Sequence, residues 1–350
     1  MTHRISRRTA LTAAGGSALG LALAGCNLGP ATIPGEGGAA ATGPTLTFRV
    51  ADNWNPTHPS AAAIDEIFKP RVERNSGRTL TAEVYHSGTL GNEAELWDGV
   101  RNGTIDMAVI GTVMNQEFPV MLISDWPFLY TDVKHAKDVW TGRIATDISA
   151  RFHEQFPTTE ILGWAPNSAR TFTSSKPLTS VADFAGQKFR MPANPIHLGI
   201  ANNLGASAQV IPLGELFSAL ETGVVDGQDN GMVTVRSEGL YEVQSHIYET
   251  NHIVATLEII ANTAFLDRLS DDQEAIVREA AEESARWAWD AYLESIDADR
   301  TFLGDEGLTI TELTPQARQE MIDRLQPLLD QLYAENAWAP ELVERIQAEG

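Results

Sequence analysis

One cysteine, Cys26, stands in 350 residues. A single thiol closes no internal disulfide and supplies no cysteine-rich zinc site. Basic residues are scarce: 25 Lys and Arg against 47 Asp and Glu leave a net charge of -22. Nucleic acid rewards basic surfaces through counterion release, and anionic lipid rewards polybasic segments, so this balance argues against both as partners. No stretch is apolar over the roughly 20 residues that span a bilayer as a helix. The signatures G-x-S-x-G, H-E-x-x-H and G-x-x-x-x-G-K-[ST] are missing. The eight histidines are scattered, and each reads as a surface or packing residue. No metal and no cofactor is expected. A carboxylate pair suffices for glycoside hydrolysis, so a surface-anchored hydrolase stays open as an alternative. What remains is globular composition, 43% hydrophobic and 21% charged, enough for a core in about two domains.

The first 25 residues read as an export signal: Arg7-Arg8, then an apolar Ala/Gly-rich run from Ala10 to Ala24, with no acid before Glu36. The arginine pair resembles a twin-arginine signal. Leu23-Ala24-Gly25-Cys26 resembles a bacterial lipobox, which implies that Cys26 is acylated and becomes the mature N-terminus. Loss of Arg4, Arg7 and Arg8 with the signal takes the net charge from -22 to -25. Residues 26–44, rich in Gly, Pro and Ala, read as a flexible tether. The expectation is an exported, lipid-anchored protein.

Beyond the tether, strands and helices alternate, which indicates an α/β fold. Thr45–Val50 and Leu80–Tyr85 alternate as strands, and Ile105–Ile110 is a short apolar strand. His58–Asn75 and Asn92–Asn102 read as helices with Gly77 and Gly103 as stops. An internal echo relates Glu95–Asp106 to Glu215–Asp226 at a constant offset of 120, each a helix, a glycine and a strand. Shared lobe architecture and the mere commonness of such units both remain open. Ser270 and Gln273 form a capping box that opens a helix to about Leu293, and Thr314-Pro315 opens another to about Glu335. Trp287, Trp289 and Tyr292 read as a packing stripe rather than a ligand platform.

Residues 183–230 contain Asp183-Phe184-Ala185-Gly186-Gln187-Lys188-Phe189-Arg190-Met191-Pro192, then Pro212-Leu213-Gly214-Glu215-Leu216, then Thr222-Gly223-Val224-Val225-Asp226-Gly227-Gln228-Asp229-Asn230. This order closely resembles the DctP family, the extracytoplasmic solute-binding subunits of TRAP (tripartite ATP-independent periplasmic) transporters. Leu90-Gly91-Asn92-Glu93, Pro127-Phe128-Leu129-Tyr130 and Thr250-Asn251-His252 agree with it, so the resemblance covers about residues 45–335. It implies a two-lobed α/β fold of the type II periplasmic-binding-protein kind, with a ligand cleft between lobes and a long helix crossing both. By the same analogy lobe I is 45–167 plus 256–295 and lobe II is 168–255 plus 296–350.

The resemblance also implies site residues. Arg190 matches the family's carboxylate-pairing arginine, and a planar guanidinium that stays charged when desolvated suits that role. Alternation puts Phe189 and Met191 on one face and Arg190 on the other, with Pro192 ending the strand. Asn230 matches an asparagine on the same carboxylate; by itself it reads as a turn residue. Arg170 matches a second cleft arginine, or serves in an internal ion pair. Leu213 matches an apolar wall position. Glu93 either contacts ligand or caps a helix. Asn53 and Trp54 follow the first strand on the cleft side, where Trp54 stacks on a sugar ring or packs. Asp229-Asn230-Gly231 departs from the family's frequent Glu-Asn-Pro, which leaves the loop shape open.

The expected function is a monomeric receptor for a small organic acid, a sugar acid such as a uronate or a C4-dicarboxylate. It would deliver that acid to the small and large permease subunits of a sodium-driven TRAP transporter. An ABC-type binding protein or sensor with the same cleft is the alternative.

Overall fold

The computed structural model describes residues 43–111 and 113–349. The expected signal, Cys26 and all of the tether but Gly43 and Pro44 lie outside the described residues.

Nine strands form one sheet: β1 (Leu46–Asp52), β2 (Leu80–Tyr85), β3 (Met107–Ile110), β4 (Thr159–Ser174), β5 (Lys188–Met191), β6 (Ser207–Val210), β7 (Gly227–Asn230), β8 (His246–Asn262) and β9 (Thr309–Glu312). Their order is β2-β1-β3-β8-β4-β7-β5-β6, with β9 beside β8. Two long antiparallel strands, β4 and β8, run through both lobes, paired from Thr159↔Asn262 to Ser174↔His246. One lobe adds the parallel set β1, β2 and β3 to the end of β8; the other adds β5, β6 and β7 to the end of β4.

The 120-residue echo corresponds to two equivalent units. Helix Glu93–Arg101 leads through Gly103 to β3, and helix Leu213–Glu221 leads through Gly223 to β7. Both glycines have φ +71°, left-handed backbone that glycine adopts without a Cβ clash. Leu96 and Leu216 are both buried. The two aspartates do the same work: Asp106 accepts the Arg49 N–H of β1 at 2.8 Å, and Asp226 accepts the Lys188 N–H of β5 at 2.9 Å. Each carboxylate so satisfies a backbone amide of the neighbouring strand.

The helix opened by Ser270 runs from Asp271 to Asp305, 35 residues, twelve beyond the expected end at Leu293. At 1.5 Å per residue it is about 52 Å long and packs along both lobes. Its predicted capping box is present. The apolar stripe fades after Tyr292, which is why periodicity stopped there; in the second half Asp299 and Leu303 carry the buried face. Trp289 is fully buried and donates to the Trp164 carbonyl, while the Tyr292 hydroxyl accepts the Ala169 N–H at 2.6 Å. These rings pack, as the stripe suggested.

The helix over residues 59–75 contains a π-helical turn, Ile64–Phe68, which the pattern of apolar residues did not show. The third strand begins at Met107 rather than Ile105. Helix Pro315–Glu335 has its Thr314 cap and Pro at the first position as expected.

Candidate functional site

Register explains where the cleft lies. β3 ends at Ile110 opposite Glu258, and β7 ends at Asn230 opposite Thr171. The two approach from opposite directions, so their C-terminal ends face each other across the middle of β4 and β8, where Ser168 pairs with Ala255. A ligand hollow outside strand C-terminal ends follows the general rule for α/β sheets. Here a hollow, partly open to solvent, is lined by Trp54, Glu93, Arg170, Arg190, Leu213 and Asn230, together with other residues considered below.

Six of the seven expected ligand residues thus come together. Asn53 does not line the hollow; its side-chain amide donates to the Gly91 carbonyl at 2.9 Å. It therefore holds the loop that leads into helix Glu93–Arg101. Glu93 and Leu213, 120 apart, are the first residues of their two helices, so both helix N-termini meet the hollow. Such ends favour anions.

Glu93 is not the capping-box partner. Asn92 and Glu95 form the box, and Glu93 instead accepts the Gly111 N–H at 2.7 Å. Burial raises its carboxyl pKa against the pull of that bond and of Arg190 and Arg170. Arg190 is 3% exposed, with Nε donating to the Ile211 carbonyl at 2.7 Å. Burial, then the nearby Arg170 cation, draws its pKa down to about 10, so it stays charged at neutral pH. Asn230 is the last residue of β7, not a turn residue, and its Nδ2 donates to Gln228. Trp54 is buried beside His58, with ring centroids 6.1 Å apart, and it also lines the hollow.

Arg170 lines the hollow and also forms an internal ion pair. Its Nε donates to Asp229 Oδ1 at 2.7 Å and an Nη donates to the Asp229 carbonyl. Asp229 in turn meets His197 Nδ1 at 2.6 Å, and His197 Nε2 lies 3.3 Å from Asp125 Oδ1. Asn194 donates to the other Asp125 oxygen at 2.7 Å. Burial would raise the Asp229 pKa, but Arg170, His197 and His252 hold it well below the usual range. Burial opposes charge on His197, yet Asp229 foremost, with Asp125, raises its pKa.

His197 and Asp125 line the hollow, and the sequence reading missed both. It treated every histidine as bland. The available signal was position: His197 follows β5 by six residues, on the side where strand ends carry ligands. Gly231, the departure from the expected proline, also has a structural reason. A Cβ there would collide with the Ser168 side chain, and its N–H donates to Ser168 Oγ at 3.1 Å. A proline would bring that Cβ and lose the N–H donor.

Among the described residues no group of three or more His, Cys, Asp or Glu could hold a metal ion, and no helix is long and apolar enough to cross a membrane.

Two buried guanidiniums thus line a hollow between two lobes, the architecture of a binding protein with a cleft. Residues 50–336 match the family described as bacterial extracellular solute-binding protein, family 7 (DctP), and the chain belongs to that family. A TRAP periplasmic solute-binding protein from Haemophilus influenzae, solved with bound L-gulonate, superposes with a TM-score of 0.83 at 27% identity, covering 87% of this chain and 99% of that one. One from Roseobacter denitrificans with bound β-D-glucuronate gives 0.80 at 27% identity over 87% and 99%. The ectoine-binding periplasmic protein TeaA of Halomonas elongata is 29% identical over 319 residues, 83% of this chain and 91% of its own. The family and these neighbours are solute-binding receptors.

Proposed function

We propose that this chain is an extracytoplasmic receptor that captures a small organic acid by pairing its carboxylate with Arg190 and delivers it to a sodium-driven TRAP permease. It acts by binding and not by turnover. The observation that carries this reading is the buried, charged Arg190 at the end of β5, its plane fixed by the Ile211 carbonyl, on the wall of the hollow. The Nη edge is the pair of donors a carboxylate takes in parallel. Asn230 adds a neutral donor, Arg170 a second cation, Leu213 an apolar wall and Trp54 a ring face, while Glu93 addresses hydroxyls. Asn53 acts indirectly, through the Gly91 loop. The gulonate and glucuronate of the similar structures support a sugar acid as ligand.

Lobe limits near 168, 255 and 296 fall inside β4, β8 and the long helix, and these are the hinge positions of the proposal. Acylated Cys26 anchors the receptor as a monomer at the membrane surface after export.

The test is calorimetry on wild type and Arg190→Ala with L-gulonate and D-glucuronate. Breaking a desolvated charge pair removes about 2–5 kcal/mol, roughly 30- to 5,000-fold in affinity. Equal affinities would remove Arg190 from the site.

A further inference from the structure

The charged groups at the hollow include His197, Asp125 and Asp229 beside the expected Arg190, Arg170 and Glu93. Two guanidinium heads and one imidazole face it: Arg190 from β5, Arg170 from β4, and His197 from helix Pro195–Asn203. Asp229, behind Arg170, and Asp125, on the wall, already engage two of them. Glu93 brings a third carboxyl from the other lobe, within electrostatic reach of Arg190, Arg170 and Asp125. All these groups are largely shielded from water, where an uncompensated charge is costly.

Resting on the reading above, we propose that this cleft selects a polyhydroxy monocarboxylate and rejects the corresponding dicarboxylate, with Glu93 and Asp125 as the wall that turns away a second negative charge.

With His197 charged against Asp229 and Asp125 and Glu93 protonated, the groups sum to one positive charge, and one ligand carboxylate brings the closed cleft to zero. With Glu93 ionised they already sum to zero. A dicarboxylate leaves at least one negative charge without a partner in either case. Glu93 keeps Oε1 on the Gly111 N–H, and Oε2 is an acceptor suited to a ligand hydroxyl. Asp125 is held by Asn194 and His197 and offers acceptors suited to sugar hydroxyls. Both acids therefore recognise O–H groups and repel O⁻ groups. Like charges juxtaposed in a desolvated interface impose a large penalty and so give specificity.

The matched probes are L-gulonate and D-glucarate, which is L-gulonate with its terminal CH₂OH replaced by a second carboxylate. Calorimetry at pH 7.5 on the full mature chain is expected to show glucarate at least about 100-fold weaker than gulonate. Glu93→Gln, which removes a titratable charge from the wall, is expected to narrow that ratio, and Asp125→Asn to narrow it further. Glucarate bound as tightly as gulonate by wild type overturns the inference and leaves the acid-receptor reading intact. A ratio unchanged in both variants overturns the assignment of the wall. If neither acid binds, and a screen finds only uncharged ligands, the receptor reading itself falls and this inference with it.

Discussion

Asp229→Asn is the sharpest perturbation of the buried network. Asp229 has no exposure, Arg170 is 3% exposed and His197 is 1% exposed. The carboxylate meets Arg170 at 2.7 Å, His197 at 2.6 Å and His252 at 3.7 Å. An asparagine keeps the shape and one acceptor oxygen but removes the charge, so Arg170 loses its ionic partner and His197 its principal one. Removing one member of a buried pair costs about 3–5 kcal/mol. With an unfolding entropy near 2.1 cal/mol/K per residue over the roughly 300 described residues, that is a fall in Tm of roughly 5–8 °C. The pH dependence carries a second signature. Folding holds the Asp229 pKa below its ordinary 3.8, so its stabilisation is present above that value and is lost as pH falls through the folded one. Folding raises the His197 pKa above 6.5, so its stabilisation is complete below 6.5 and is lost as pH rises through the folded value. The variant should lose most of that alkaline decline. Differential scanning calorimetry of both proteins from pH 5 to 9 measures both effects. A variant that melts within 1 °C of wild type at pH 6, by an instrument scale well inside the ~5 °C expected, would refute the claim that this network is a charged, interdependent unit.

Two further outcomes follow from single sites. Glu258 is fully buried in β8, with Oε1 accepting from Thr256 and no partner for Oε2 among the described residues, and burial pushes its pKa well above 4.5. Since folding raises this acid's pKa, its ionisation in the unfolded chain lowers stability as pH rises from 4.5 toward the folded value. Glu258→Gln should therefore be at least as stable as wild type at pH 8, and a large drop in its Tm would show that the carboxylate is charged in the fold. Gly231→Ala forces a Cβ against Ser168 and should cost about 1–3 kcal/mol by overpacking. Ser168→Gly in the same chain should recover part of it in urea unfolding, and failure to recover any would place the strain elsewhere.

Much of this architecture was readable because local chemistry and global fold agree. The capping signals at Ser270 and Thr314 open the helices they indicate. The echo at offset 120 corresponds to two units with the same left-handed glycine and the same strand-start aspartate. The long helix was cut short at Leu293 because periodicity measures only apolar burial, and its second half is held partly by polar contacts such as Arg236 with Asp299. Glu93 was legible as important, but which glutamate caps the helix depends on side-chain direction, and Glu95 takes that place.

The sequence by itself determined most of the elements and set Arg190 at the end of a strand, because spacing, caps and turns act over a few residues. Only the tertiary structure decided how Arg170, Asp229, His197, Asp125 and Glu93 share charge. Those side chains come from five separate segments, spread over residues 93 to 229, that meet only when β3 and β7 end against the same stretch of β4 and β8. Electrostatic state is a property of distance and burial, and neither is written in the order of residues.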